Sequence, residues 1–239
     1  MNRTALIVAH GQPSDPAPAA AELAALALRV ADLLPGWEVR AATLAEPGAL
    51  AAAAAAMPPG VVFPMFMAGG WFTRVAIPAR LAEAGIAGWR VLEPFGCDVA
   101  VHDLARVVLA EAGGGDVVLA AHGSFKSSVP SDIARHVAGL IAGDRAGDRA
   151  GRVEVGFIDQ TPQLASLTGF GAGSVCLPFF AAAGGHVTED IPAALNEAGF
   201  QGRVLPPLGL DARVPELIAR AIEAGREVCA VECRWRQPA

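Results

Sequence analysis

The chain has 239 residues, 53% hydrophobic and 18% charged, a balance that excludes a disordered or fibrous protein and supplies ample apolar surface for a core. Its 18 Lys and Arg against 24 Asp and Glu leave a formal charge of −6, so non-specific binding to nucleic acid or anionic lipid is not expected. Any anionic ligand must be met by a local basic patch, and Lys126 is the only lysine.

The N-terminal run Ala5 to Ala9 is too short for a signal peptide, and stretches such as Ala49 to Met57 fall far short of the roughly 20 residues of a membrane-spanning helix. A cytoplasmic protein is expected, with Cys97, Cys176, Cys229 and Cys233 as free thiols. Apolar runs of strand length near residues 4–9, 38–44, 60–66 and 89–93 alternate with helical spacing near 17–34, 47–56, 73–84 and 99–111. After Gly113-Gly114-Gly115 the alternation resumes, with strands near 116–121, 152–158, 174–179 and 202–206 and helices near 130–142, 161–168, 188–198 and 212–224. Pro192 predicts a late start or a kink in the helix near 188–198, and the polar tandem at 143–150 predicts a solvated loop. Alternating elements imply right-handed βαβ units and parallel sheets covered by helices on both faces.

The chain is also written twice. Ile77-Pro78-Ala79-Arg80-Leu81-Ala82-Glu83-Ala84-Gly85 reappears 114 residues on as Ile191-Pro192-Ala193-Ala194-Leu195-Asn196-Glu197-Ala198-Gly199. Leu6-Ile7-Val8-Ala9-His10-Gly11 likewise matches Val118-Leu119-Ala120-Ala121-His122-Gly123. Two halves are therefore expected, 1–112 and 113–239, each of ordinary domain size.

Ligands of open parallel sheets sit beyond the carboxyl ends of the strands, where both His10 and His122 fall. An imidazole on a rigid strand end, followed by a glycine that lets the chain turn, suits a metal ligand or a proton acceptor. The second half adds Asp159 after one strand and His186 after another, and two imidazoles with a carboxylate are a common set for a divalent first-row metal. Glu189 and Asp190 are placed to cap the next helix. The first half has Trp71 or Phe72 where the second imidazole stands and Glu46 near the position of Asp159, which makes it a half that shapes the substrate site with flat apolar surface. His102 and His136 carry no motif and read as surface positions; Cys229 and Cys233 lack a second pair that would make them a metal site.

These residues resemble the class II tetrapyrrole chelatases, in particular the sirohydrochlorin cobalt and iron chelatases. The resemblance rests on the two His-Gly strand ends, the second continuing into Ser124, on Val155-Gly156-Phe157-Ile158-Asp159-Gln160-Thr161-Pro162, and on Leu177-Pro178-Phe179-Phe180 through His186-Val187-Thr188-Glu189-Asp190-Ile191-Pro192. It implies two flavodoxin-like, chelatase-like α/β halves, each a parallel sheet flanked by helices, facing one cleft. It further implies His122 and His186 as catalytic, metal-binding imidazoles with Asp159 at the acidic position, where many relatives have Glu. The activity implied is insertion of Co2+ or Fe2+ into a sirohydrochlorin-type macrocycle, in cobalamin or sirohaem biosynthesis, with no cofactor beyond the metal. The macrocycle's binding residues are then His10, Trp71, Phe72, Ser124 and Lys126, with Arg74, Arg80 and Arg203 as further cations for its carboxylates. A carrier of metal or tetrapyrrole that retains the fold without turnover is the alternative. A histidine phosphatase, the other family with His-Gly after a first strand, is disfavoured because Ala9 and Ala121 stand where it needs arginine to hold phosphate.

Overall fold

The computed structural model describes residues 3–145, 151–230 and 233–236. In chain order the regular elements are β1 (Arg3–Ala9), α1 (Pro16–Asp32), β2 (Trp37–Thr43), α2 (Ala49–Ala55), β3 (Val61–Pro64), α3 (Ile77–Glu83), β4 (Arg90–Val91), α4 (Val99–Ala112), β5 (Val117–Ala121), α5 (Val129–Asp144), β6 (Val153–Phe157), β7 (Val175–Pro178), α6 (Ile191–Glu197), β8 (Arg203–Val204) and α7 (Val214–Ala224). They build two four-stranded, wholly parallel sheets, β2-β1-β3-β4 and β6-β5-β7-β8. The order of each is the flavodoxin-like one, and the repeated α/β architecture is as the sequence predicts. The central strands read as continuous apolar runs because helices cover them on both faces: Ala5 to Val8 and Val117 to Ala120 are each 0% exposed.

Two compact units result, and they are not simply the halves of the repeat. One comprises residues 1–98 with 212–239, the other 99–211. The last helix of each half has moved to the other unit: α4 packs on α5 and β7, and α7 packs on α1 and β3. The buried stripe of α4 is Val101, His102, Leu104, Ala105 and Leu109. His102, read from sequence as a surface residue, is fully buried there beside His136 of α5, the ring centroids 5.4 Å apart. Its spacing to Ala105 and Leu109 is that of one helical face, and this carries it inward. Burial also holds the half-buried His136 imidazole below its usual pKa.

The helices expected near 73–84 and 188–198 begin with wide turns of π type. Phe72–Ala76 precedes α3 and His186–Asp190 precedes α6, with the amides of Ile77 and Ile191 donating to the carbonyls of Phe72 and His186, five residues back. Pro78 and Pro192, near the start of each α segment, have no N–H for the α register and crowd the carbonyl four residues back, and the wider turn avoids both problems. β4 and β8 are shorter than expected because Pro94, Pro206 and Pro207 follow them and cannot donate to a ladder.

The helix expected near 161–168 is absent. Phe157 N–H donates to the Pro162 carbonyl at 3.0 Å, laying the segment beside β6, and only a single 3-10 turn, Leu164–Ser166, follows. The Ser166 hydroxyl donates to the Gln163 carbonyl, a local bond that competes with helix. The loop expected at 143–150 begins later than predicted, since α5 runs through Asp144, held to Arg106 of α4 by paired hydrogen bonds of 2.5 and 2.6 Å. Residues 146–150 lie outside the described residues.

After β1 and β5 the chain turns at Gly11 (φ 76°) and Gly123 (φ 74°). A Cβ on Gly123 would meet Gln160 Cβ at 2.8 Å, so only glycine fits without strain. Gly139, within α5, has open space around its Cβ position. Gly123→Ala should therefore lower the melting temperature by an amount equivalent to about 1–3 kcal/mol. Gly139→Ala should raise it by the equivalent of about 0.5–1 kcal/mol. Thermal unfolding followed by circular dichroism checks both signs.

Candidate active site

His122 stands at the carboxyl end of β5, at the point where the chain leaves for β6 on one side and β7 on the other. The ladder continues one step past β6, Asp159 N–H donating to the His122 carbonyl at 2.9 Å, which places Asp159 beside it. β7 leads through Gly184-Gly185 into the π turn that carries His186 and Asp190. The two imidazoles meet with Nε2 atoms 3.1 Å apart and ring planes at 90°, the Phe180 ring 6.4–6.5 Å from both.

The other nitrogen of each ring fixes its protonation. His122 Nδ1 lies 2.9 Å from the Gly123 carbonyl, and His186 Nδ1 lies 2.6 Å from Asp190 Oδ2. Both partners only accept, so each Nδ1 carries a hydrogen, and in the neutral ring Nε2 presents a bare lone pair. Two such lone pairs face each other across a hydrogen-bond distance, an arrangement made favourable by a cation or a proton between them. Metal–nitrogen bonds of about 2.1 Å would meet across that gap at an angle of about 95°, a cis pair with the remaining positions open.

Asp159 lies elsewhere on His122. Its Oδ2 is 3.6 Å from Nδ1, the nitrogen that does not face His186. Among the described residues no group of three or more His, Cys, Asp or Glu is arranged to hold a metal. Asp190, read from sequence as a helix cap, makes no side-chain capping bond; its carboxylate instead orients His186, four residues before it. That spacing puts both side chains on one face of the turn and is the signal for the pair in the sequence.

The loop after His122 is pinned by Ser124 N–H to Gln160 Oε1 (3.0 Å) and by Lys126 N–H to the Ser124 hydroxyl (3.1 Å). Ser124 thus shapes the loop that presents Phe125, 82% exposed, and Lys126, whose ammonium has no ion pair among the described residues. The candidate arginines are engaged elsewhere: Arg80 donates to the Leu44 carbonyl (2.8 Å), Arg203 to the Ala112 carbonyl (2.7 Å), and Arg74 faces Cys233 Sγ (3.5 Å).

The first unit repeats the frame with different side chains. His10 Nδ1 lies 2.9 Å from the Gly11 carbonyl and Ala45 N–H donates to the His10 carbonyl, so Ala45, and not Glu46, matches Asp159; Glu46 is exposed one residue further on. Phe72 opens the π turn as His186 does, its ring 4.9 Å from that of His10 at 85°, and Ala76 matches Asp190. Of the two sequence candidates for the missing imidazole's place, Phe72 occupies it, stacked on Phe66 at 5.6 Å, while Trp71 is 63% exposed beside it.

A family model described as CbiX matches residues 116–224. Among solved structures, the chain is similar to CbiX, described as the terminal enzyme for biosynthesis of siroheme in denitrifying bacteria. Identity is 45%, the match covers 93% of this chain and 99% of that one, and the TM-score is 0.84. It shares its fold with SirB from Bacillus subtilis with Fe3+ (17% identity, 94% of this chain and 96% of that one, TM-score 0.70). It also shares it with a sirohydrochlorin chelatase SirB from Bacillus subtilis subspecies spizizenii in complex with cobalt (16%, 94% and 95%, 0.67). No curated protein matches the chain.

The paired imidazoles predict one Co2+ site per chain. His122→Ala or His186→Ala should abolish Co2+ binding in titration calorimetry, and Asp190→Asn should weaken it about 10–100-fold by releasing the His186 ring. Grafting Phe72→His with Ala76→Asp should raise the count to two Co2+ per chain, because His10 already holds the matching orientation.

Proposed function

Because the chain belongs to the CbiX family, we propose that it is a metal chelatase that inserts a divalent ion, Co2+ or Fe2+, into a sirohydrochlorin-type tetrapyrrole. The observation that carries this reading is the pair of imidazole Nε2 atoms 3.1 Å apart, each ring fixed through Nδ1. Insertion replaces two pyrrole protons by one metal ion. While the ion is held, the two Nε2 lone pairs are occupied; as it passes to the macrocycle nitrogens, those lone pairs become free to accept the departing protons. Asp190 on His186 and Asp159, 3.6 Å from Nδ1 of His122, offset the positive charge each ring then gains. Both imidazoles are a little under half exposed, 43% and 45%, so protons pass on to water.

His122 and His186 are the catalytic groups and metal ligands in this proposal. Asp159, assigned from sequence to the ligand set, is proposed to steady His122 from its Nδ1 edge. The macrocycle is bound through its flat face and its carboxylates: Trp71 and Phe72 offer apolar surface, His10 a polar edge, and Lys126, on the loop shaped by Ser124, a cation for carboxylate. The metal is the second substrate and no other cofactor is needed. Imidazole nitrogens accept both cobalt and iron, so the supply of metal decides which is used. Among the described residues no helix is long and apolar enough to cross a membrane, and we place the reaction in the cytoplasm, in cobalamin or sirohaem biosynthesis.

The test is metal insertion by the purified protein with sirohydrochlorin and Co2+ or Fe2+, followed by absorbance of the product. Turnover above the uncatalysed rate is expected; binding without it would identify a carrier. His186→Ala should lower kcat by at least about 10²–10⁴-fold, while His10→Ala should only weaken the reaction. Equal losses in the two variants would overturn the assignment of catalysis to the second unit. Lys126→Ala should raise KM for the macrocycle with little change in kcat.

A further inference from the structure

Three of the four cysteines gather in the first unit, around a closely packed seam that Glu93 and Arg74 also line. Cys97 ends the 3-10 turn Phe95–Cys97, pressed so closely on the preceding loop that a Cβ on Gly96 would meet the Met67 carbonyl oxygen at 2.2 Å. Cys233 arrives on the C-terminal segment, which is strapped to the edge of β4 by the antiparallel bridge Leu92–Glu227 and by Val228 N–H to the Val91 carbonyl at 3.0 Å. The two sulfurs meet below Gly69, where a built Cβ would lie 3.8 Å from each. They are hydrogen-bonded to one another, and both residues are under 5% exposed, at 3% and 4%. Arg74 Nη2 stands 3.5 Å from Cys233 Sγ.

We propose that Cys97 and Cys233 form a peroxide-reactive dithiol that closes to a disulfide, fastening the C-terminal segment to the turn after β4. Sulfurs that flank one point in this way are placed for side-chain rotation to bring them to bonding distance, about 2.05 Å. The environment divides the roles. The hydrogen bond from Cys97, with the positive charges of Arg74 and Arg236, holds the Cys233 thiol well below the ordinary thiol range, so Cys233 is the nucleophile. The same hydrogen bond, with burial, pushes Cys97 up and keeps it a thiol until it is needed. Cys229 faces the Glu93 carboxylate at 3.7 Å instead of the pair.

The chemistry balances with hydrogen peroxide as oxidant. The Cys233 thiolate attacks one peroxide oxygen and the O–O bond breaks; the leaving hydroxide takes a proton as water, and a sulfenic acid remains on Cys233. Cys97 sulfur then attacks Cys233 sulfur, expelling hydroxide, which leaves as water with the Cys97 proton. Two thiols are oxidised by two electrons, one peroxide is reduced, and two waters form. Arg74 belongs to the π turn that carries Phe72, so oxidation removes the anionic sulfur this arginine faces.

The test uses the full reduced chain treated with hydrogen peroxide, and it does not depend on the chelatase reading. The wild type and Cys229→Ser should each lose two free thiols and about 2 Da and should yield a Cys97–Cys233 cross-linked peptide on mass spectrometry. Cys97→Ser should instead leave a sulfenic acid on Cys233 that dimedone traps. Alkylation of Cys233 by iodoacetamide should show a midpoint below the ordinary thiol value of about 8.5, and Arg74→Gln should move it upward. A cross-link through Cys229, thiols that survive peroxide unchanged, or a Cys233 that titrates as an ordinary thiol would overturn the proposal.

Discussion

The contact around which the second unit's candidate site is arranged is the approach of two imidazoles through their Nε2 atoms. A 3.1 Å separation between two lone pairs is unfavourable unless a cation or proton joins them, so the surrounding structure must hold the rings there. It does so through groups that only accept, the Gly123 carbonyl on one ring and the Asp190 carboxylate on the other. Each of these is in turn fixed by backbone: Gly123 by a positive φ that a crowded side chain would not tolerate, and Asp190 by a π turn upstream of Pro192. A proline two residues beyond Asp190 thus bears on the orientation of a nitrogen in His186.

Duplication makes the first unit a control within the same molecule. Its strand order, its His-Gly turn and its π turn before a proline are all retained. What has changed are three side chains at the ends of that frame, with Phe72 for His186, Ala76 for Asp190 and Ala45 for Asp159. The retained backbone accounts for folding, since the frame is stabilised by buried central strands and does not need the ligands. The replaced side chains account for the chemical difference, because Phe72 gives His10 an apolar edge to pack on where His186 gives His122 a second nitrogen.

Much of this was legible in the sequence, and the parts that were not have identifiable physical reasons. The repeat, the parallel sheets and the strand-end histidines follow from apolar periodicity and colinearity, which are local signals. The exchange of α4 and α7 between units is not local: each helix has an ordinary apolar stripe, and nothing in that stripe says which sheet it covers. The burial of His102 was readable from its spacing to Ala105 and Leu109, but the absence of a motif around it pointed outward. The missing helix at 161–168 gave way to a short-range bond, Phe157 N–H to the Pro162 carbonyl, that folds the segment back beside β6 and that helical spacing does not announce. Asp190 was visible as an acidic residue before a helix, and only the geometry distinguishes an orienting carboxylate from a cap.

The number of ligands bears on what the centre is suited to do. A structural metal site closes three or four protein groups around the ion and holds it. Here two imidazoles converge through Nε2, and Asp159 lies 3.6 Å from the other nitrogen of His122. An ion held at a cis pair keeps its remaining positions for water or for incoming nitrogens. On the proposed reading, a tetrapyrrole offers four nitrogens in a preorganised ring, so the ion would be more strongly held in the product than at two imidazoles, and transfer would run downhill. A tighter protein site would oppose that step, and adding a third ligand on the Nε2 side would turn a site of delivery into one of storage.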